Sequence, residues 1–229
     1  MELASKETAA AFRYLATAGW MSEQPAAFQA RMAQIGRWMS MRRGQVIYTA
    51  GDEADAIYGL GEGLLDITIP VDPQRDVVIH RATAGFWIGD SALLAGSLRT
   101  LTLSAASDGQ LFKLPAASVL RNLKEHPEDW ICFYRLNHLN VSRALAALAE
   151  VISLPPRARF SRALLRLTSS TGAVHVTQDE LGRMVGMSRA TFRRSFAALI
   201  SQGIVEVEYG CILIRNLPAL ELEAARTEE

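Results

Sequence analysis

Three arginines in one short stretch, Arg189, Arg193 and Arg194, offer the most definite chemistry in this 229-residue chain. A guanidinium presents a planar fork of donors that matches guanine O6 and N7, and it also neutralises phosphate. Arg189 and Arg193 are four residues apart and share a helix face, with Arg194 about 100° further round. Hydroxyls surround them. Ser188 is placed to cap their helix, Thr191 follows in its first turn, and Thr177 caps a preceding helix with Glu180 completing a capping box. Such hydroxyls, beside free N–H groups at two helix starts, suit phosphate oxygens. The expected nucleic-acid-facing set is Thr177, Arg183, Ser188, Arg189, Thr191, Arg193 and Arg194.

These side chains need a scaffold, and the surrounding pattern predicts one. A helix from about Gln178 to Val185, a tight turn at Gly186-Met187 and a second helix from Ser188 to about Ser201 form a helix-turn-helix. Leu181, Met184 and Val185 supply the apolar face of the first helix, and Phe192, Phe196, Leu199 and Ile200 that of the second. Gly203 then stops the helix, and two short strands around Tyr209-Gly210 read as a β wing. A basic amphipathic helix, RARFSRALLRLT, precedes the pair.

Further upstream, a helix of about 25 residues ends before Pro155-Pro156. It carries one apolar stripe of Tyr134, Val141, Leu145, Leu148 and Ile152, with Leu136, Leu139 and Ala146 beside it. Two stripes need two neighbours, and a second copy of the helix can be one of them. Between Met41 and Pro115, short runs such as VIY, AIYGL, GLLDITI, VVIH and LFKL alternate with glycine-marked breaks, which predicts a β-sandwich or jelly roll. Residues 1–35 read as helical, with Phe12, Leu15, Phe28, Met32 and Ile35 at helical spacings and Pro25 at a helix start. The fold class is therefore α+β: a helical lead-in over 1–40, a β-roll over 41–125, a long helix over 126–154 and a winged helix-turn-helix over 155–229.

With 24 basic and 24 acidic residues, the chain has a formal charge of zero, which by itself speaks against a nucleic-acid partner. The distribution reverses that reading. Residues 153–216 hold nine arginines and no lysine against four acids, a net of +5 that leaves −5 for the rest. Such asymmetry is the footprint of a nucleic-acid-binding module joined to something else; solvated arginines on helix faces would give the same count. No apolar run is long enough for a membrane span, and MELASKETAA has no signal-peptide character, so a cytoplasmic location is expected. Two distant cysteines, Cys132 and Cys211, suit a reducing compartment, and the four histidines show no metal-ligand spacing. No Ser-His-Asp arrangement, paired-carboxylate pocket or lysine-bearing glycine loop points to an enzyme.

Over roughly residues 40–216 the chain resembles the Crp/Fnr family, the cyclic-AMP receptor protein and its relatives. VTQDELGRMVGMSRATFRRSFAALISQGIVE is similar to the family's DNA-binding signature, VIYTAGDEADAIYGLGEGLLDI to its cyclic-nucleotide-binding-type β-roll, and IGDSALLAGSLRT to its phosphate-binding cassette. The resemblance implies a homodimer joined through the long helix, double-stranded DNA as partner, and RNA polymerase as a further partner if the protein activates. It also implies effector contacts at Gly89, Asp90, Arg99, Thr100 and, on the long helix, Ser142. Arg99 would neutralise a cyclic phosphate, the hydroxyl and helix-start N–H groups would cradle it, and Asp90 would accept from a ribose hydroxyl. Departures matter here. Asp90 is a methylene shorter than the family's Glu, bulky Trp87 stands beside it, Arg143 follows Ser142, and Ala190 replaces an acid between the reading arginines. A cyclic nucleotide, another small anionic effector and an unliganded roll all stay open, with no cofactor certain.

The expected function is a sequence-specific, dimeric transcriptional regulator with half-sites one helical turn apart. The alternative is a metabolite or cyclic-nucleotide sensor without strong sequence-specific DNA binding. Arg189→Ala is expected to cost about 1–3 kcal/mol in binding to a selected site and to relax specificity at one base position. Unchanged specific affinity at fixed salt, measured by gel shift, would remove Arg189 from the reading edge.

Overall fold

The computed structural model describes residues 12, 14–72, 75–168, 172–174, 181–182, 185, 187, 189–208 and 211–227, with Asp72, Arg75 and Arg189 described in backbone only. The chain divides into two compact units, Met1–Arg143 and Ala144–Glu229.

The first unit contains two four-stranded antiparallel sheets. One orders β1 (Arg37–Met41), β8 (Gly109–Pro115), β3 (Ala56–Glu62) and β6 (Trp87–Ile88); the other orders β2 (Val46–Tyr48), β7 (Thr102–Ala105), β4 (Leu65–Asp72) and β5 (Arg75–Ala82). Side chains alternate across a strand, and β3 shows the consequence. Ala56, Tyr58 and Leu60 enter a core shared by both sheets, with Leu65, Ile67 and Leu103 from the second. Ile57 faces the other way, into a core shared with the helices. Gly59 also turns that way: it pairs with Trp87 across the ladder, and a Cβ there would lie 2.6 Å from the indole. The glycine lets the tryptophan ring lie flat against the sheet.

Helices cover that outer face. They are α1 (Gly19–Ser22), α2 (Ala26–Ile35), α4 (Ala116–Glu125) and α5 (Trp130–Ser153), with α3 (Asp90–Ala95) inserted after β6. Trp20, Phe28 and Phe133 pack at ring-centre distances of 5.3 to 5.9 Å, and Trp20 also meets Trp87 at 5.4 Å. The indole of Trp20 donates to the Cys132 carbonyl at 2.9 Å, which fixes the start of α5. Arg31 grips Asp129 with two hydrogen bonds of 2.9 and 2.5 Å, and buried Asn122 donates to the same carboxylate at 2.8 Å. Three helical segments are thereby tied at one point.

The second unit is built on α6 (Pro156–Leu167), α7 (Arg189–Ser201) and α8 (Leu217–Ala224) around the three-stranded sheet β10-β11-β9 (Val205–Glu208, Cys211–Ile214, Ala173–Val174). Its core joins Phe160, Phe192 and Phe196 to Leu164, Leu181, Leu199 and Ile212. The expected wing strands are present as β10 and β11, paired from Val205↔Ile214 to Glu208↔Cys211. Most of the expected first helix lies outside the described residues, where only Leu181 and Gly182 appear as helix.

Several expectations need correction. The roll's first strand begins at Arg37, ahead of residue 41, and Ala116–Glu125 is an amphipathic helix within what read as roll; it buries Val119, Asn122 and Leu123. Pro25, by contrast, stands at the helix start as expected, at the N-cap of α2. Ile200 is exposed, because Leu199 already fills the inward position of that turn. Trp87, bulky beside Asp90 in sequence, is completely buried against Trp20 and Phe112, so its bulk fills the core shared with the helices.

Asp129→Ala is expected to destabilise the first unit by about 3 kcal/mol, since it leaves Arg31 and buried Asn122 without their acceptor. Urea unfolding followed by tryptophan emission measures it, and a loss under about 1 kcal/mol would make this tie incidental.

Candidate nucleic-acid interface and effector cassette

Helix α7 sorts its residues by face. Phe192, Phe196 and Leu199 are buried in the second unit's core, and this forces Arg193 and Arg194 outward, where both are exposed. Thr191 is half-buried on the same helix. Thr177, Arg183 and Ser188 lie outside the described residues, and Arg189 is placed there by backbone alone as the first residue of α7. Thus the helix that carries the three arginines is in place, and its two described arginines face away from the core.

Sequence reasoning missed two cations nearby. An open groove of about 320 Å³ gathers Arg157, Arg194 and Arg226 with Thr191 and Ser195. Glu223 holds this arrangement: it is buried, pairs with Arg157 at 2.6 Å and with Arg226 at 3.2 Å, and thereby keeps both guanidiniums at the groove. Three cations against one acid leave the groove positive and suited to an anionic backbone. Its signal was faint in the sequence, because Arg226 lies 32 positions beyond Arg194.

In the first unit the cassette begins on Gly89, whose φ of +104° favours glycine, and continues as α3. Of the five expected effector residues, Gly89, Asp90 and Arg99 come together while Thr100 and Ser142 are exposed. The guanidinium of Arg99 donates to the Gly89 carbonyl at 3.1 Å, to the Ala56 carbonyl at 2.6 Å and to Asp55 at 3.3 Å. It also lies 4.1 Å from the centre of the Tyr48 ring. Asp55 in turn accepts from Lys113 at 2.5 Å and from the Tyr58 hydroxyl at 3.2 Å. Partial burial pushes the Asp55 carboxyl up, but hydrogen bonds from Lys113, Tyr58 and Arg99 outweigh it and hold the group below its usual range.

Asp90 has the opposite balance. Burial raises its pKa, against hydrogen bonds from its own N–H, the N–H of Ser91 and the side-chain amides of Asn137 and Asn140. The folded state therefore keeps a proton that the unfolded chain releases, and Asp90 lowers stability once pH has risen from the unfolded aspartate value, about 3.9, through the folded one. Asp90→Asn keeps the acceptor and loses the charge. Its urea midpoint is expected to lack that fall with rising pH, and a variant that follows the wild-type profile would remove Asp90 as its source.

Comparison with known proteins agrees with this division. Residues 38–126 match the cyclic nucleotide-binding domain model, and residues 158–223 match the Crp-like helix-turn-helix domain model, together about two thirds of the chain. The lysophospholipase nte1 of Neosartorya fischeri is 34% identical over 90 residues, which are 39% of this chain and 6% of that protein. This chain spans only a small part of the curated relatives it matches. Among solved structures, FixK2 from Bradyrhizobium japonicum superposes with a TM-score of 0.74 at 17% identity, covering 85% of this chain and 100% of that one. A CRP-family transcriptional regulator from Thermus thermophilus gives 0.69 at 25% identity, covering 83% and 98%. A cyclic nucleotide-binding-type roll followed by a long helix and a Crp-like helix-turn-helix defines the architecture, and the chain belongs to the Crp/Fnr family of transcriptional regulators.

Proposed function

We propose that the protein regulates transcription as a homodimer that reads a pseudo-palindromic DNA site with α7, Arg189, Arg193 and Arg194 meeting base edges and Arg157 and Arg226 meeting phosphates. The observation that carries this reading is the orientation of α7. Its aromatic face is locked in the core, and its two described arginines, Arg193 and Arg194, lie exposed on the other side. Thr177, Arg183, Ser188 and Thr191 complete the phosphate contacts in this reading.

Dimerisation follows from α5. Tyr134, Val141, Leu145, Leu148 and Ile152 are all exposed along it, at spacings of 7, 4, 3 and 4 residues. A stripe of that period is the seam of a two-helix coiled coil, which a second copy would bury. Nothing in this reading is catalytic: the match to the lysophospholipase is confined to 90 residues of a far longer protein. Among the described residues no helix is long and apolar enough to cross a membrane. We assign the protein to the cytoplasm, with RNA polymerase as the further partner that activation would require.

Gel shifts across a range of salt, on DNA selected from a random pool and on random DNA, test the reading. Selected DNA is expected to bind at least about a thousandfold more tightly, and equal affinity would refute sequence reading. The double variant Leu145→Glu, Leu148→Glu is expected to sediment as a monomer and to lose about 100-fold in affinity for the full site. A dimer that survives these substitutions would move the interface off α5.

A further inference from the structure

A cyclic nucleotide is the effector that the roll's family implies, and the residues of this cassette do not fit one. Recognition needs an accessible cation and an accessible carboxylate, and both are buried here: Arg99 gives its two terminal nitrogens to protein groups, and Asp90 lies inside the fold although its Oδ2 has no partner. Arg99, with 2% of its side chain exposed, is spent on Asp55 and two carbonyls. Its guanidinium lies so close to the cassette turn that a Cβ on Gly89 would stand 2.7 Å from Nη1. The Asp90 carboxylate is 2% exposed, so a ligand could reach its unpartnered Oδ2 only by displacing the protein around it. An entering cyclic phosphate would compete with a tethered Asp55, whose effective concentration is on the order of millimolar or higher.

The contacts of α5 with this segment make a pattern. Asn137 reaches Asp90, Asn140 donates to the Trp87 carbonyl at 3.0 Å, and the guanidinium of Arg143 lies 5.3 Å from the Phe86 ring centre. Three helix residues, each three positions after the last, hold three residues of the stretch 86–90. A bound effector would otherwise have to bridge cassette and helix; here the protein bridges them itself.

We propose that this roll acts without a cyclic nucleotide: Asp55 takes the place of the phosphate on Arg99, and Asn137, Asn140 and Arg143 latch the cassette directly to the long helix, setting DNA affinity in the nucleotide-free protein. The inference rests on the DNA-reading function proposed above. Calorimetric titration of the full-length protein with 3′,5′-cyclic AMP and with cyclic GMP, each to about 1 mM, is expected to give no saturable heat and a melting shift below about 1 °C. Saturable binding of either overturns the proposal. In the second arm, Asn140→Ala and Arg143→Ala, assayed without nucleotide, are expected to change affinity for selected DNA by about fivefold or more. The slope of log affinity against log salt should stay at the wild-type value, because the phosphate contacts are untouched. Affinity within about twofold of wild type for both variants overturns the latch. Failure of the wild type to tell selected from random DNA would refute the regulatory reading, while the calorimetry still decides whether the roll takes a nucleotide.

Discussion

A guanidinium cannot lie inside a protein without its counter-charge, and the first unit is arranged around that demand at Arg99. Desolvating the cation costs several kcal/mol unless carbonyls, a carboxylate and an aromatic face replace the lost water. Ala56 and Gly89 supply the carbonyls, Asp55 the carboxylate and Tyr48 the ring. Those four partners come from β2, the start of β3 and the turn after β6, so satisfying one charge pins segments of both sheets. Lys113 on β8 also pairs with Asp55, so one carboxylate serves two cations. The same cation that marks the cassette as a phosphate site in sequence is, in the fold, a structural keystone.

The second unit obeys a different constraint. In its core three phenylalanines pack on one another at centre distances of 5.2 to 5.7 Å. Once Phe192 and Phe196 are anchored there, the direction of every other side chain on α7 is determined by the helical period. Charge then falls where packing leaves room for it. Glu223, on the last helix, restrains two cations that would otherwise scatter over the surface, and the positive groove is as much its product as that of the arginines.

Much of this was legible in the sequence because it depends on local pattern. The roll's strands announce themselves through alternation and glycine breaks, the wing through two apolar runs about Tyr209-Gly210, and the long helix through its two stripes. Assignment of those stripes needed the fold: Leu136 and Leu139 face the helical core, whereas the Tyr134 to Ile152 stripe is exposed. The α4 helix was missed because it follows a strand without a break, and its buried Asn122 interrupts the apolar signal. At the cassette the residues were identified but not their partners. Asp55, Asn137 and Asn140 lie 44, 38 and 41 positions from Arg99, and no local rule connects them. Arg226 was overlooked for the same reason.

The aromatic cluster around Trp20 and Trp87 has an optical consequence. All four tryptophans, Trp20, Trp38, Trp87 and Trp130, belong to the first unit, and residues 144–229 contain none. Tryptophan emission therefore has no source in the unit that holds α7 and its arginines. Two of the four indoles, Trp20 and Trp87, touch each other, and the backbone of Trp87 is bonded to Asn140. A change in tryptophan emission on adding DNA would therefore report on the first unit, so the native chain carries a label specific to its roll.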